Sequence, residues 1–253
     1  MTSVLPKVLA IGIPCSGINL LSQIVVGNPL LTEGLWVNQW YEDSEDMYKD
    51  LKETKPGEVR FGHLYYTSQL KIYLNENDFR RFFIYRDPRD SIVSYLFHVT
   101  ALEKTHAHHK YFVNALKDDE DRLMKLITGF AESKDIAAQY GLEELGYGNV
   151  THHFLPYLRW LEDPGTCAVR YEDLVNGGET RRKQIIRMID YLWDRIGGAG
   201  LDKEILASAM EKNLYPGMSG QWKQYFNEEH KYVFKELAGD LLIYLGYEDD
   251  TDW

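Results

Sequence analysis

The sequence predicts a three-layer α/β fold in which helices flank a mostly parallel central sheet. Two observations support this prediction. Short apolar runs typical of buried strands alternate, along the whole chain, with segments whose apolar residues recur at helical spacing. No repeat or low-complexity tract interrupts the alternation. A chain of 253 residues can bury one substantial core, so we expect a single domain over residues 1–253.

The first strand and the loop after it form the first clear unit of the pattern. Residues 7–11 form a short run that is apolar after Lys7, the apolar residues within 20–25 have helical spacing, and the loop of residues 12–19 between them contains Gly, Pro and Ser. A strand, such a loop and a helix make an anion site, because N–H groups at a helix start have no partner within the helix. The loop has the glycine spacing of a P-loop, but Ile18-Asn19 replaces its Lys and Ser/Thr, which argues against a Walker-type NTPase. Taken alone, the loop could also be an ordinary strand–helix turn.

Three more strands and several helices follow. The predicted strands are residues 58–64, 81–85 and 166–171. After the predicted strand of residues 81–85, Pro88 forces a turn, and Asp90 is the expected cap of the next helix. Further helices are expected at residues 149–161, 181–193 and 202–212, and a last one after the cap residue Asn227. In a parallel sheet ligands bind beyond the carboxyl ends of the strands, so the loop, His63, Arg86 and Tyr171 should share one edge.

Charge and composition exclude several classes of function. The formal net charge of −11 argues against nucleic acid or another polyanion as partner. No apolar run approaches the roughly 18 residues of a membrane span, and the N-terminus lacks the features of a signal peptide. Cys15 and Cys167 are too few for a disulfide framework, and the histidines near His106 lack a convincing set of metal ligands. We therefore expect a cytoplasmic protein that does not bind a membrane or use a metal.

Motifs in four parts of the chain, in this order, resemble those of sulfotransferases that use 3′-phosphoadenosine 5′-phosphosulfate (PAPS). Residues 12–17 look like the loop that binds the 5′-phosphosulfate, and residues 61–64 like the strand end with the catalytic histidine. Residues 85–95 are very similar to the strand-loop-helix that binds the 3′-phosphate. Residues 170–174 and 220–226 resemble the C-terminal signatures. The resemblance implies the sulfotransferase fold, PAPS as donor and 3′-phosphoadenosine 5′-phosphate (PAP) as product.

The resemblance also implies roles for individual residues. His63 would be the general base, since an imidazole that titrates near neutrality suits removal of the acceptor's proton. Arg86 and Ser94 would hold the 3′-phosphate, for which a planar guanidinium is well suited, and Tyr171 would lie against the adenine. The remaining implied donor-binding positions are Pro14, Cys15, Ser16, Gly17, Ile18, Asn19 and Gly217. The alternatives are a buried structural histidine, a surface arginine and a core tyrosine.

The chain departs from the family where the family carries positive charge. Cys15 replaces the loop Lys or Arg, Phe61 replaces a second Lys, and residues 215–217 replace an Arg-Lys-Gly sequence. Loss of such a cation commonly costs several kcal/mol of transition-state stabilisation. The alternative function is therefore a degenerate protein that binds PAP or an adenine nucleotide with little turnover. The candidate replacement cations are Lys7, Arg60, Lys104 and Lys223.

A cysteine phosphatase is a further alternative, because a cysteine at a helix start can be a nucleophile. That motif needs an arginine six residues after the cysteine, where this chain has Leu21. We therefore expect sulfuryl transfer to a hydroxyl or amine of a small molecule, with a neutral or cationic acceptor, such as a natural product, favoured by the acidic charge. A homodimer is possible. The candidate acceptor-pocket residues are Trp36, Trp40, Tyr65, Phe97 and His106.

Overall fold

The described chain comprises residues 5–37, 44–200, 202–214 and 217–253 of a computed structural model and divides into two units. The first unit is Met1–Arg86 with Pro156–Ser219, and the second is Asp87–Leu155 with Gly220–Trp253. Division into compact units does not decide whether each folds alone, so the single domain over residues 1–253 remains a prediction.

Strands and helices alternate through most of the chain. The strands are β1 (Lys7–Gly12), β2 (Thr32–Trp36), β3 (Glu58–Gly62), β4 (Phe79–Tyr85), β5 (Phe130–Ala131), β6 (Gly146–Tyr147) and β7 (Thr166–Arg170). The α-helices are α1 (Ile18–Val26), α2 (Glu45–Lys52), α3 (Ser68–Glu76), α4 (Pro88–Phe97), α5 (His109–Asn114), α6 (Asp119–Thr128), α7 (Lys134–Gln139), α8 (Val150–Glu162), α9 (Tyr171–Val175), α10 (Gly178–Ile196), α11 (Lys203–Met210), α12 (Trp222–Tyr225) and α13 (Glu228–Tyr244). A π-helical segment, His98–Leu102, follows α4.

The central sheet of the first unit has the strand order β2-β3-β1-β4-β7, and every neighbouring pair is parallel. Alternate strand residues face opposite sides, and both sets are buried. Val8 and Phe82 belong to a core cluster with residues of α1, α10 and α11, whereas Leu9 and Phe83 lie on the other face. The predicted α/β class with a mostly parallel sheet is confirmed.

The second unit is mainly helical. Helix α6 contacts both α4 and α13, and α12 contacts α4. The short strands β5 and β6 form an antiparallel pair. As expected from the sequence, Asn227 caps α13: its side chain accepts from the His230 N–H, and His230 completes a capping box.

One strand was not predicted from the sequence, and one helix cap was assigned to the wrong residue. The sheet contains β2, for which the sequence showed no strand pattern because its residues are mostly exposed at the sheet edge. The cap of α4 is Asp87, whose carboxylate accepts the Arg89 N–H at 2.9 Å, and Pro88 occupies the first turn. Asp90 instead accepts the N–H groups of Gly220 and Trp222.

Among the described residues, no helix combines the length and the apolar character that crossing a bilayer requires.

Candidate functional site

The carboxyl ends of β1, β3, β4 and β7 lie at the same edge of the first unit, because these strands are parallel. The loop of residues 12–19 follows β1, His63 follows β3, Arg86 follows β4 and Tyr171 follows β7. The contacts described below confirm that they meet, as predicted from the parallel order.

Two residues of the loop just before α1 have positive φ angles. Cys15 has φ +62° and Gly17 has φ +99°, which is the left-handed region that favours glycine. The Ser16 N–H donates to the Ile13 carbonyl at 3.0 Å. Ser16 is fully buried, and Ile18 is only 6% exposed. The side chains of Ser16 and Ile18 therefore contribute little to the surface of the loop.

The start of α1 has the features of an anion site. Its N-cap is Gly17, which provides no side-chain cap, and the first N–H groups of a helix have no intrahelical partners. Asn19 is exposed one residue into the helix. The helix dipole also favours a negative charge at this end.

His63 is joined directly to the loop. Its Nδ1 lies 2.6 Å from the Gly12 carbonyl oxygen, and because a carbonyl only accepts, Nδ1 carries the proton. In the neutral ring, Nε2 therefore holds the lone pair that a general base needs. Burial lowers the pKa of His63 below its ordinary value of 6.5, and the hydrogen bond to Gly12 opposes this shift. The imidazole is thus kept neutral.

Arg86, which follows β4, packs against the same loop. Its Nη1 donates to the Cys15 carbonyl at 3.3 Å, and its Nη2 donates to the Met218 carbonyl at 2.8 Å. The guanidinium carbon lies 4.4 Å from the centre of the Tyr171 ring, within the range of a cation–π contact. Arg86 is 5% exposed, so its guanidinium is held in one position by these contacts and does not extend into solvent.

The Tyr171 ring packs against the loop at Gly17. Gly17 approaches the ring so closely that a Cβ at this position would collide with it. A Cβ at Gly217 would collide with the Tyr171 hydroxyl. Tyr171 is 7% exposed, with the loop and the Arg86 guanidinium against it. Its predicted contact with an adenine remains a prediction.

Of the predicted replacement cations in the first unit, neither is placed at the loop by its contacts. Lys7 begins β1 and lies over the Phe79 ring, at the end of the strand about 17 Å from Gly12. Arg60 alternates with Phe61 along β3, so the two face opposite sides of the sheet, and its Nε pairs with Glu58 at 2.9 Å. Lys104 and Lys223 belong to the second unit.

The aromatic acceptor-pocket candidates of the first unit have different surroundings. Trp36 is 45% exposed, and its ring lies 5.5 Å from that of His63 and 6.2 Å from that of Phe61. Tyr65 packs edge-on against Tyr157. Trp40, like Tyr215 and Pro216, lies outside the described residues.

The second unit contains Ser94, Phe97 and His106. Ser94 lies on α4, and the Phe97 ring packs against Tyr225. His106 contacts the Tyr95 hydroxyl, which also lies 3.1 Å from Nδ1 of His108. Burial lowers the pKa of His108 to about 4. No set of metal ligands is formed by these histidines or by any other His, Cys, Asp and Glu residues in the described ranges.

A cluster around Arg89 was not predicted from the sequence. Its guanidinium pairs with Asp87 at 2.7 Å and with Glu248 at 2.5 Å, and its carbon lies 4.0 Å from the centre of the Trp222 ring and 4.4 Å from that of Trp253. The Asp-Pro pair at residues 87–88 was the available sequence signal, since Asp favours the cap and Pro the first helical position.

A family model described as the sulfotransferase domain matches residues 5–193. The chain belongs to the sulfotransferase family. The matched range contains the loop, His63, Arg86 and Tyr171, and it extends through most of α10.

Among solved structures, this sulfotransferase resembles mouse sulfotransferase SULT7A1 in complex with PAP. The two share 15% sequence identity with a TM-score of 0.60, over 93% of this chain and 84% of the mouse chain. At this identity the likeness shows the fold. No curated protein sequence matches the chain.

Proposed function

We propose that this sulfotransferase moves the sulfuryl group of PAPS to a hydroxyl or amine of a small-molecule acceptor. The observation that supports this most directly is the hydrogen bond between His63 and Gly12. It attaches a candidate base to the loop whose backbone favours an anion, so that proton removal and donor binding belong to one structure. The family match and the PAP complex of the mouse relative support the choice of donor.

The residues at the loop fit a phosphate-bearing donor. The N–H groups at the start of α1 and the Arg86 guanidinium are the donor types that phosphates prefer. The absence of a side chain at Gly17 lets the Tyr171 ring pack directly against the loop, which supports the loop's conformation. PAPS, when bound, supplies a sulfuryl group attached to a phosphate leaving group.

His63 acts as the base in this proposal. Its Nδ1–H is committed to the Gly12 carbonyl, so the acceptor's proton goes to Nε2 as the acceptor atom attacks. The resulting imidazolium keeps the hydrogen bond to the carbonyl oxygen, which stabilises the charged ring. No covalent intermediate is required, and positioning of the two reactants supplies much of the rate.

We assign the Arg86 guanidinium to the negative charge of the donor's 5′-phosphosulfate, the part of the donor that the loop would bind. The family resemblance gives it to the 3′-phosphate, but its Nη1 lies against the carbonyl of Cys15, the residue that replaces the family's loop cation. A buried guanidinium next to the loop would offset part of the missing charge.

Two mononucleotides distinguish these roles of Arg86. In calorimetry with adenosine 5′-monophosphate and adenosine 3′-monophosphate, Arg86→Ala should weaken the 5′-phosphate ligand by about tenfold or more. A loss confined to the 3′-phosphate ligand would return Arg86 to the role implied by the family. Lys110→Gln, an exposed lysine of α5, is the matched control for loss of one positive charge.

A PAP-binding protein without turnover is the second candidate, and the observation that favours it is Cys15 in place of a cation. Calorimetry with PAP, together with a radiolabelled sulfate-transfer assay over a panel of acceptors, separates the two candidates. PAP binding with transfer supports the enzyme, and tight PAP binding without transfer to any acceptor supports the second. Failure to bind PAP, with no effect of Arg86→Ala, would reject both.

We further propose, as expected from the sequence, that the protein is cytoplasmic and that its acceptor is neutral or cationic. The net charge of −11 supports the choice of acceptor, because it disfavours a polyanion.

A further inference from the structure

A groove of about 510 Å³ lies beside the candidate site in the first unit. One wall is α1, where Asn19, Gln23 and Val26 line the groove. These residues are separated by four and three positions and therefore share one helix face. A volume of this size falls within the range of small-molecule sites.

A β-bulge shapes the opposite wall. In the pairing of β2 with β3, Glu33 lies opposite Val59 and Trp36 lies opposite Phe61, so β2 advances three residues where β3 advances two. Val59 and Phe61 are two apart and point to the same face, the face covered by α1. The extra residue therefore turns both Glu33 and Trp36 towards the groove, as bulges next to functional sites often do.

The bulge depends on a glycine. Gly34 lies between the two turned residues, and a Cβ there would come 2.8 Å from the Val59 carbonyl oxygen. A side chain at this position would push β2 away from β3, so the orientation of Glu33 is built into the strand.

The lining of the groove combines aromatic and charged groups. The rings of Trp36 and Phe61 form an aromatic surface, and Trp36 also contacts His63. The groove is lined as well by Glu33, three residues before Trp36 on β2, and by Lys212. Within the described part of the chain, neither of these two charged groups forms an ion pair.

We propose that this groove binds the acceptor and that the acceptor is a zwitterion with an aromatic ring, such as an aromatic amino acid. Glu33 would bind its ammonium group and Lys212 its carboxylate, while the ring would stack on Trp36 and present its hydroxyl to His63. Because the bulge fits three residues of β2 into the two-residue rise of β3, Glu33 and Trp36 lie about 7 Å apart along the sheet, a distance comparable with that between the ammonium group and the ring of an aromatic amino acid. This inference rests on the proposed function for its catalytic meaning, but the binding it predicts can be measured without turnover.

Four ligands test the proposal by calorimetry on the full chain, with and without PAP. They are L-tyrosine, tyramine, 3-(4-hydroxyphenyl)propionate and 4-methylphenol, which carry both charges, the ammonium only, the carboxylate only and neither. We expect L-tyrosine to bind most tightly and 4-methylphenol least. Equal affinity of all four, or no binding of any of them to protein that binds PAP, would overturn the proposal.

Single substitutions assign each charge. Glu33→Gln should weaken L-tyrosine and tyramine by about fivefold and leave the propionate unchanged, whereas Lys212→Gln should weaken L-tyrosine and the propionate. Glu143→Gln and Lys110→Gln, which are exposed residues of the second unit, are the matched controls. The same affinity changes in the controls and in the groove variants would reject the assignment.

Trp36→Leu tests the aromatic surface, and its partial exposure makes a folded variant the expected result. It should weaken all four ligands, because all contain the ring. PAP is titrated separately on the unmodified protein. If that protein does not bind PAP, the result counts against the proposed function. If it binds PAP but has equal affinity for the four phenolic ligands, the result counts only against the groove.

Discussion

Two strand–helix turns of this protein are held in opposite ways. The loop after β1 is held by neighbours distant in sequence: His63 bonds to Gly12, Arg86 bonds to Cys15, and the Tyr171 ring packs under Gly17. The turn after β4 is held by its own side chains, since Asp87 both caps α4 and pairs with Arg89.

The difference separates a binding loop from a structural turn. The first keeps backbone N–H groups at a helix start without a side-chain cap, as a site for an anion requires. In the turn after β4, the Asp87 carboxylate accepts the Arg89 N–H at the start of α4, so this N–H is not available to an anion. Changes near the first should therefore affect activity more than stability, and changes in the second should do the reverse.

The largest expected effect is that of His63→Ala on transfer. Removal of the base should lower the transfer rate by about 100-fold or more, with PAP affinity nearly unchanged. Radiolabelled sulfate transfer and PAP calorimetry measure the two quantities. His63→Asn is the matched variant, because its amide N–H can still donate to Gly12 but cannot act as a base. Retained transfer in the Asn variant would make His63 a positioning residue, and loss of folding in both variants would make it structural.

Arg89→Leu tests the other turn. It leaves the Asp87 carboxylate buried without its partner, so the free energy of unfolding should fall by about 3 kcal/mol. Urea denaturation measures this fall. Lys231→Met, which removes an exposed ion pair with Glu228, should change the stability by less than about 1 kcal/mol. Equal effects of the two substitutions would show that the Arg89 cluster is not what stabilises this turn.

Cys15→Lys should raise PAP affinity or turnover by about tenfold, because it adds a cation where charge develops. The same change should partly restore nucleotide binding to Arg86→Ala. The positive φ of Cys15 strains lysine and cysteine alike, so the backbone need not change. Cys15→Ala is the control for loss of the thiol. Weaker PAP binding together with slower transfer would mean that the loop has been rebuilt around the cysteine.

The smallest expected effect is a shift of the acidic limb of the pH–rate profile. The base must be neutral, and burial lowers the pKa of His63 below 6.5, so the ring stays neutral to lower pH than a free imidazole. Transfer should therefore persist as the pH falls to 6.5 and decline only below it. A half-maximal rate above pH 6.5 would contradict the shielded environment of His63.

The sequence predicted β1, β3, β4 and β7 well, because each is an apolar run within a buried parallel sheet. It failed at β2, whose exposed residues carry no such pattern. It placed the helix cap at Asp90 because capping residues are common near helix starts, whereas the choice of Asp87 depended on Pro88 at the first helical position. The pairing of Arg89 with residues near the C-terminus could not be read from spacing at all.

By itself the sequence determined the fold class, the family and the edge of the sheet at which the site lies. These follow from local apolar patterns and from short motifs, each contained in a few consecutive residues. Only the tertiary structure decided that Arg86 lies against Cys15, that His63 has its proton on Nδ1, and that a bulge turns both Glu33 and Trp36 towards the groove. Each of these depends on which atoms distant parts of the chain bring within a few ångströms, and that information is not local.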